Sequence, residues 1–583
     1  MTFRRLLVAN RGEIAVRIIR ACRALGIESV AVYSDADATA LHTARADRAV
    51  RIGPAPATDS YLSISAILAA ARETDCQAIH PGYGFLAENH MFAEACARER
   101  IAFVGPPADV IARLGSKISA RRLAADAGIP VVPGATPADQ TDVTIADAAR
   151  RIGYPILIKP SEGGGGIGMT AVRDDASLMD AIAQARRVAV AAFGDGTLYL
   201  ERLIDRPRHV EMQILADRHG HVVHLFEREC SLQRRHQKVI EESPSTALTP
   251  RLRARMGEAA VALARAAGYE SAGTVEFLLD GTDDGAHFYF LEMNTRLQVE
   301  HPVTEQTTGV DIVRAQIAIA AGEPLPWTQA GLTQRGHAIE ARIYAEDPDR
   351  NDLPQAGPLR RYREPDMPGI RIDSGVVEGG EISVHYDPMI AKLIATGDSR
   401  EAARLRAIAA LRRYEIEGIR TNIPLLIALL EHPRFVSGDI DTHFIDRERA
   451  ESMTRIAEAS DAPADDADPW TTLRGWRLLQ PPQTGRSPIV RRADPAASGD
   501  PSSRGPAGVS GSDALSSPMP ATVAGVEVNA GDMVTAGDLL VTLEAMKMEL
   551  PIRSPRDGRV KAVNCQKGDL VQPGVPLVEL DEP

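Results

Sequence analysis

The 583-residue chain is long enough for several domains, and its 44% hydrophobic and 25% charged residues are those of an ordinary globular protein. A formal net charge of −13 argues against a general nucleic-acid binder, while leaving room for a local basic pocket. Five scattered cysteines with no C-x-x-C pair suggest a reducing compartment with no disulfide framework and no structural zinc site, and no apolar run reaches the roughly 18 residues of a membrane span. Leu6 to Ala9 is too short for the apolar core of a signal peptide, so the expected location is the cytoplasm.

Residues 3 to 34 read as strand, helix, strand: Leu6 to Ala9, then Ile14 to Leu25, then Ser29 to Tyr33. Such a βαβ start predicts a parallel sheet with its loops over the strand C-termini. No G-x-G-x-x-G follows the first strand, which argues against a dinucleotide site. The strand at Ala78-Ile79 leads into a glycine-rich turn, His80 to Asn89. Lys117 opens a helix that ends at Gly128, and Pro155 to Pro160 is a strand with Lys159 near its end. Five glycines then fill six positions, Gly163 to Gly168, interrupted by Ile167. Ordering them as helix or strand costs too much entropy. Their unobstructed N–H groups suit polyphosphate oxygens, a flexible hairpin turn being the alternative. The loop is not a Walker A motif, since no Gly-Lys-Ser/Thr closes it.

Farther along, Leu198 to Ile204 is a strand, and His209, Glu211 and Gln213 alternate along the next. From composition alone, Glu227 to Lys238 reads as a charged, solvated edge. Thr274 to Asp280 and Phe288 to Asn294 form a predicted hairpin on which Glu276 and Glu292 face one spot, with Asn294 on the same side as Glu292. Two carboxylates and a carboxamide are a hard-oxygen set for Mg²⁺ (or Mn²⁺) held with phosphate, or else a salt-bridged hairpin. Arg296, Gln298, Glu300 and His301 crowd just beyond. His337 to Glu346 is an alternating strand carrying Arg342, and His385 to Leu393 and Thr421-Asn422 complete this part.

Two stretches, Glu458 to Pro469 and Thr484 to Ala514, are too rich in Ala, Asp, Ser, Gly and Pro to order themselves. Between them Trp470 and Trp476 suggest a docking peptide. The C-terminal module repeats itself: Ser517-Pro518 returns as Ser554-Pro555, Gly531-Asp532 as Gly568-Asp569 and Leu543 as Leu580, each 37 residues on. Two like halves predict a pseudo-twofold flattened β-barrel. The tight turn between them carries Ala545-Met546-Lys547-Met548, a lysine presented for acylation.

These motifs resemble those of biotin carboxylases of the ATP-grasp group, over about residues 3 to 446, while Ala-Met-Lys-Met resembles the biotin attachment site. The resemblance implies an α/β N-terminal domain (1–115), an α+β ATP-grasp domain (116–330, lid about 135–203), a C-terminal cap domain (331–446), a linker (447–513) and an all-β biotinyl carrier (514–583). Its implied nucleotide contacts are Lys117, Lys159, Gly165, Gly166, Glu201, Arg202, Leu203, Ile204, His209, Gln233, His236, Glu276 and Glu292. Glu276, Glu292 and Asn294 would hold the metal, and Lys238, Arg296, Gln298 and Val299 bicarbonate. Glu300 would be the general base, Arg342 the partner of biotin's ureido oxygen, and Lys547 the biotinylated residue. Ile167 departs from the family, which usually has a basic residue there. The implied activity is a ligase reaction: ATP activates bicarbonate as carboxyphosphate, and biotin is carboxylated. Nothing in the chain resembles a carboxyltransferase, so a separate β chain is expected, together with a biotin protein ligase and self-association of the carboxylase domains. Acetyl-/propionyl-CoA is the first expectation for the acyl acceptor, and methylcrotonyl-CoA the second because of the tryptophan segment. Another ATP-grasp carboxylate ligase, or a carrier with an attenuated ATP site, are the competing readings.

Overall fold

The computed structural model describes residues 3–161, 169–234, 237–449, 451, 454, 514–545 and 548–581. They fall into two units, Met1–Met453 and Thr454–Pro583. The first unit opens with β1 (Arg5–Val8), α1 (Gly12–Ala24), β2 (Glu28–Ser34), β3 (Arg48–Gly53), β4 (Ala78–His80) and β5 (Ala102–Phe103). Its strands form the expected parallel sheet, in the order β3-β2-β1-β4-β5. β1 is buried at all four residues, as a central strand covered on both faces must be. α1 lays Ile14, Ala15, Ile18, Ile19 and Cys22 into the core at helical spacing. The loop His80 to Asn89 leaves the C-terminal end of β4, where ligands of such sheets bind.

Next, α2 (Lys117–Asp126) starts where Ser116 accepts a hydrogen bond from the Ser119 N–H. β6 (Gly134–Ala135), β7 (Ile156–Pro160), β8 (Thr170–Val172) and β9 (Leu198–Arg202) make a four-stranded antiparallel sheet, order β6-β9-β7-β8. Gly165, Gly166 and Ile167, which fall between β7 and β8, lie outside the described residues.

The site is built on one eight-stranded antiparallel sheet. Its strands are β10 (Arg208–Ala216), β11 (Val222–Arg234), β12 (Gln237–Ser243), β13 (Ser271–Asp280), β14 (His287–Asn294), β15 (His337–Tyr344), β16 (Ile370–Ser374) and β17 (Met389–Gly397). They run in the order β14-β13-β10-β11-β12-β15-β17-β16. Pairing of β12 with β15 carries the ladder straight across position 330, where the sequence suggested a domain boundary. The stretch expected as a solvated edge is instead central: β11 lies between β10 and β12, and Glu227 and Arg228 are fully buried. Its charges are tolerated there because opposite charges meet them: Glu211 on β10 faces Arg228, and Arg253, on the helix Pro250–Ala267, pairs with Glu227.

In the second unit, β18 (Ala514–Ser516), β19 (Ala521–Val526), β20 (Met533–Val534), β21 (Leu539–Ala545), β22 (Met548–Arg553), β23 (Gly558–Val563), β24 (Leu570–Val571) and β25 (Pro576–Leu580) form two four-stranded sheets. Their orders are β18-β25-β23-β20 and β22-β21-β19-β24. The sequence repeat is a structural one, and the halves exchange equivalent hydrogen bonds. Gly537 N donates to Ser554 O and Gly574 N to Ser517 O, both at 2.7 Å. Gly531 N likewise donates to Val560 O at 2.7 Å and Gly568 N to Val523 O at 2.8 Å. β21 and β22 pair up to Ala545 and Met548, and Lys547 lies outside the described residues. So do Trp470, Trp476 and the rest of 455–513.

Candidate active site

Strand register places four charged side chains in one row: Glu292 opposite Glu276, Glu276 opposite Glu211, and Glu211 opposite Arg228. Directly opposed side chains share a face of the sheet at about 5 Å, so three adjacent carboxylates repel unless cations interleave them. At one end the cations are present. Arg228, fully buried, donates through Nε to Glu211 Oε1 at 2.5 Å and through its other nitrogens to Gln213, Thr304 and Thr274. Lys238 Nζ donates to Glu211 Oε2 at 2.5 Å, Glu276 Oε1 at 2.8 Å and Glu300 Oε1 at 2.6 Å. His209 Nε2 stands 2.8 Å from the other Glu276 oxygen. Burial would raise the Glu276 carboxyl, but Lys238 and His209 outweigh it and hold it well below the usual carboxylate range.

At the Glu292 end the balance reverses. Burial and the neighbouring Glu276 charge raise the Glu292 pKa, with Lys117 opposing. Asn294 donates through Nδ2 to Glu276 Oε1 at 2.8 Å, and its Oδ1 accepts from Arg296 Nη2 at 3.0 Å. Glu292, a carboxylate short of positive charge, beside the ionised Glu276 and a carboxamide, fits a hard divalent cation. The predicted hairpin therefore brings its three metal-ligand candidates together.

Beyond the hairpin, Glu300 stands at the position before α3 (His301–Thr308), its side chain making no capping hydrogen bond to the helix. Burial works against its charge, yet Lys238, Arg342 and Arg228 hold its carboxyl well below the ordinary value. Arg342 donates to Glu241 Oε1 at 2.6 Å through Nε and to Glu300 Oε2 at 3.0 Å through Nη2. Arg296 donates to Glu88 Oε2 at 2.8 Å and to Gln298 Oε1 at 3.0 Å, and Gln298 Nε2 donates to Glu276 Oε1 at 3.2 Å. Three of the four predicted bicarbonate residues, Lys238, Arg296 and Gln298, thus form one hydrogen-bonded patch with the predicted base and Arg342, and Val299 lies between Gln298 and Glu300 in the chain.

Among the nucleotide candidates, His209 touches Glu276 directly and Lys117 acts on the Glu292 carboxyl. Lys159 and Arg121 both donate to Glu201, tying β7 and α2 to β9. Gln233 Nε2 lies 3.4 Å from His209 Nδ1. Arg202 is exposed and Leu203 and Ile204 follow it out of β9, while His236 lies outside the described residues. Glu211, Arg228, Glu241 and Glu88 were given no role from sequence, although all four fix the site. The available signal was the two-residue spacing from His209 to Glu211, which puts both on one face.

Four family descriptions match the chain: "Biotin carboxylase, N-terminal domain" over residues 2–111 and "Carbamoyl-phosphate synthase L chain, ATP binding domain" over 116–328, then "Biotin carboxylase C-terminal domain" over 340–447 and "Biotin-requiring enzyme" over 513–580. The biotin carboxylase of Halalkalibacterium halodurans is 51% identical over 76% of this chain and 97% of its own length. The chain belongs to the biotin carboxylase family. It also carries the biotinyl carrier, and the mouse mitochondrial methylcrotonoyl-CoA carboxylase subunit alpha is 40% identical over 99% of this chain and 93% of its own length. That alignment runs over 670 positions against 583 residues here, so the mouse protein has segments this chain lacks. Among solved structures, the biotin carboxylase domain of Hydrogenobacter thermophilus 2-oxoglutarate carboxylase superposes with a TM-score of 0.73 at 45% identity, covering 78% of this chain and all but 1% of that one. It was determined as a dimer with MgADP, ADP and bicarbonate. The activity of this biotin carboxylase is ATP-dependent carboxylation of biotin, as the α subunit of a carboxylase. Among the described residues no helix is long and apolar enough to cross a membrane.

Proposed function

We propose that the chain is the α subunit of a methylcrotonoyl-CoA carboxylase, loading biotin on Lys547 for a separate carboxyltransferase β subunit. The supporting observation is the 40% identity to the mouse α subunit across 99% of the chain, carrier included. This favours the second of the two acyl acceptors considered from sequence over acetyl-/propionyl-CoA. A biotin protein ligase and self-association of the carboxylase unit complete the assembly. The cytoplasmic placement belongs to the same proposal, whereas the mouse relative is mitochondrial.

In this reading Glu276, Glu292 and Asn294 hold Mg²⁺ with the ATP phosphates, and the ion neutralises phosphate charge as bicarbonate attacks. Lys159 and Lys117 assist, and Glu201 to Ile204 receive the adenine. Lys238, Arg296, Gln298 and Val299 hold bicarbonate against the base Glu300. The contacts that keep Glu300 ionised also make it a weak base. It accepts the bicarbonate proton only once Lys238 has turned toward substrate. That transfer frees Arg342 Nη2 from Glu300, leaving Glu241 to hold the guanidinium toward biotin's ureido oxygen. Co-purification of the β chain, followed by competition among acyl-CoAs for carboxylation, tests the assignment. Preference for an acetyl- or propionyl-CoA acceptor would overturn the methylcrotonoyl choice and leave the biotin carboxylase intact.

A further inference from the structure

Lys392 occupies a place that the chemistry above does not use. It lies on β17 directly opposite Arg342 on β15 and is fully buried. Lysine is almost never so enclosed unless paired. Its Nζ donates to the Val299 carbonyl oxygen at 2.7 Å and stands 3.2 Å from Glu13 Oε1. Glu13 accepts in turn from the Tyr83 hydroxyl. Glu340, two residues before Arg342 on the same strand face, is fully buried with neither oxygen hydrogen-bonded. Burial pushes the carboxyls of Glu13 and Glu340 up, and in both cases Lys392 is the main opposing charge.

The contacted carbonyl belongs to the peptide that joins Val299 to Glu300. A peptide group is planar, so fixing its oxygen fixes the plane and the direction in which Glu300 leaves it. On the other side, His301 Nδ1 lies 2.8 Å from the Gln298 carbonyl oxygen. The loop His80 to Asn89 grips the same segment twice. Glu88 accepts from Thr295 N at 2.9 Å and from Arg296 at its beginning, and Tyr83 reaches its end through Glu13 and Lys392.

We propose that Lys392 is a positioning residue for bicarbonate activation: it clamps the Val299–Glu300 peptide and, through Glu13, ties it to Tyr83. The inference deepens the proposed function and rests on its assignment of Val299 and Glu300. Lys392 touches no reacting atom. Its effect is to hold the base and the adjoining N–H groups at the angle bicarbonate requires. Strand β17, in the interior of the sheet, supplies the rigid support.

The test uses the full chain, free biotin and varied bicarbonate, with biotin-stimulated ATP hydrolysis as readout. Lys392→Met preserves length and removes the charge and the donor. It is expected to raise the KM for bicarbonate about 10- to 100-fold, with the KM for ATP within about twofold of native. Glu13→Gln, which keeps an acceptor for Tyr83, is expected to raise the bicarbonate KM about tenfold with the same spared ATP KM. If Lys392→Met fails to fold, Glu13→Gln decides by that criterion. A folded variant with native KM for bicarbonate, or one in which both KM values change alike, overturns the inference alone. A native chain without biotin-stimulated hydrolysis overturns the functional reading and the inference with it.

Discussion

Replacing Lys238 by methionine tests the charge balance of the site most directly. Its ammonium makes three contacts of 2.5–2.8 Å to carboxylates that are themselves buried. At an effective dielectric constant near 20, each such contact is about 6 kcal/mol of gross attraction, most of it offset by desolvation of the ions. Each carboxylate also keeps a second cationic neighbour: Arg228 for Glu211, His209 for Glu276 and Arg342 for Glu300. The expected loss is therefore that of a single broken buried pair, about 3–5 kcal/mol at pH 7, and not three times that. The sign of the pH dependence follows from the depressed carboxyls. Glu276 and Glu300 lie below their unfolded values, so their stabilisation is present above about pH 4.3 and fades as pH falls further. Without Lys238 part of that depression is lost, so the deficit of Lys238→Met is constant near neutrality and narrows as pH falls below about 4.3. Urea unfolding followed by circular dichroism at several pH values measures this. A deficit below about 1 kcal/mol at pH 7, or one that does not change with pH, refutes the shared-cation account.

Four further outcomes are expected. Lys547→Arg removes biotin from the chain, detected by mass spectrometry, while ATP hydrolysis driven by free biotin persists. Chelation of Mg²⁺ abolishes biotin-stimulated hydrolysis, and Glu292→Gln raises the Mg²⁺ concentration needed for half-maximal rate by about 10- to 100-fold. Ile167→Arg restores a basic side chain to the glycine-rich loop and speeds ATP turnover; equal rates in the two proteins would show that the loop acts through its backbone. Glu242, which burial would raise but which His337 and Arg400 hold down to about 2, contributes about 3 kcal/mol above its unfolded pKa. Glu242→Gln removes that increment at pH 7, and its thermal midpoint approaches the native one as pH falls from about 4.5 to 2.

The hairpin of Glu276 and Glu292 was legible because alternation and a short turn fix the face and the partner strand within one local stretch. The carrier's twofold was legible for a similar reason, since a 37-residue repeat is visible without knowing any contact. What sequence did not show is the order of the strands. That β11 sits beside β10, and that β15 joins β12, is set by long-range packing. Only that order brings Arg228 against Glu211 and Glu241 against Arg342. The misread edge at Glu227 to Lys238 has the same origin: a charged strand looks solvated until the charges that meet it are known. Lys392 is the sharpest instance, a lysine in a bland strand pattern whose carbonyl partner lies far away in the chain.

The crossed glycine and serine hydrogen bonds of the biotinyl module carry a consequence for how a tethered cofactor travels. Each half supplies the closing contacts of its twin, so neither half completes its own turns in isolation. Fraying on one side strips donors from the other, and the module melts as a whole or stays whole. A carrier built this way meets its partners as one cooperative body or not at all.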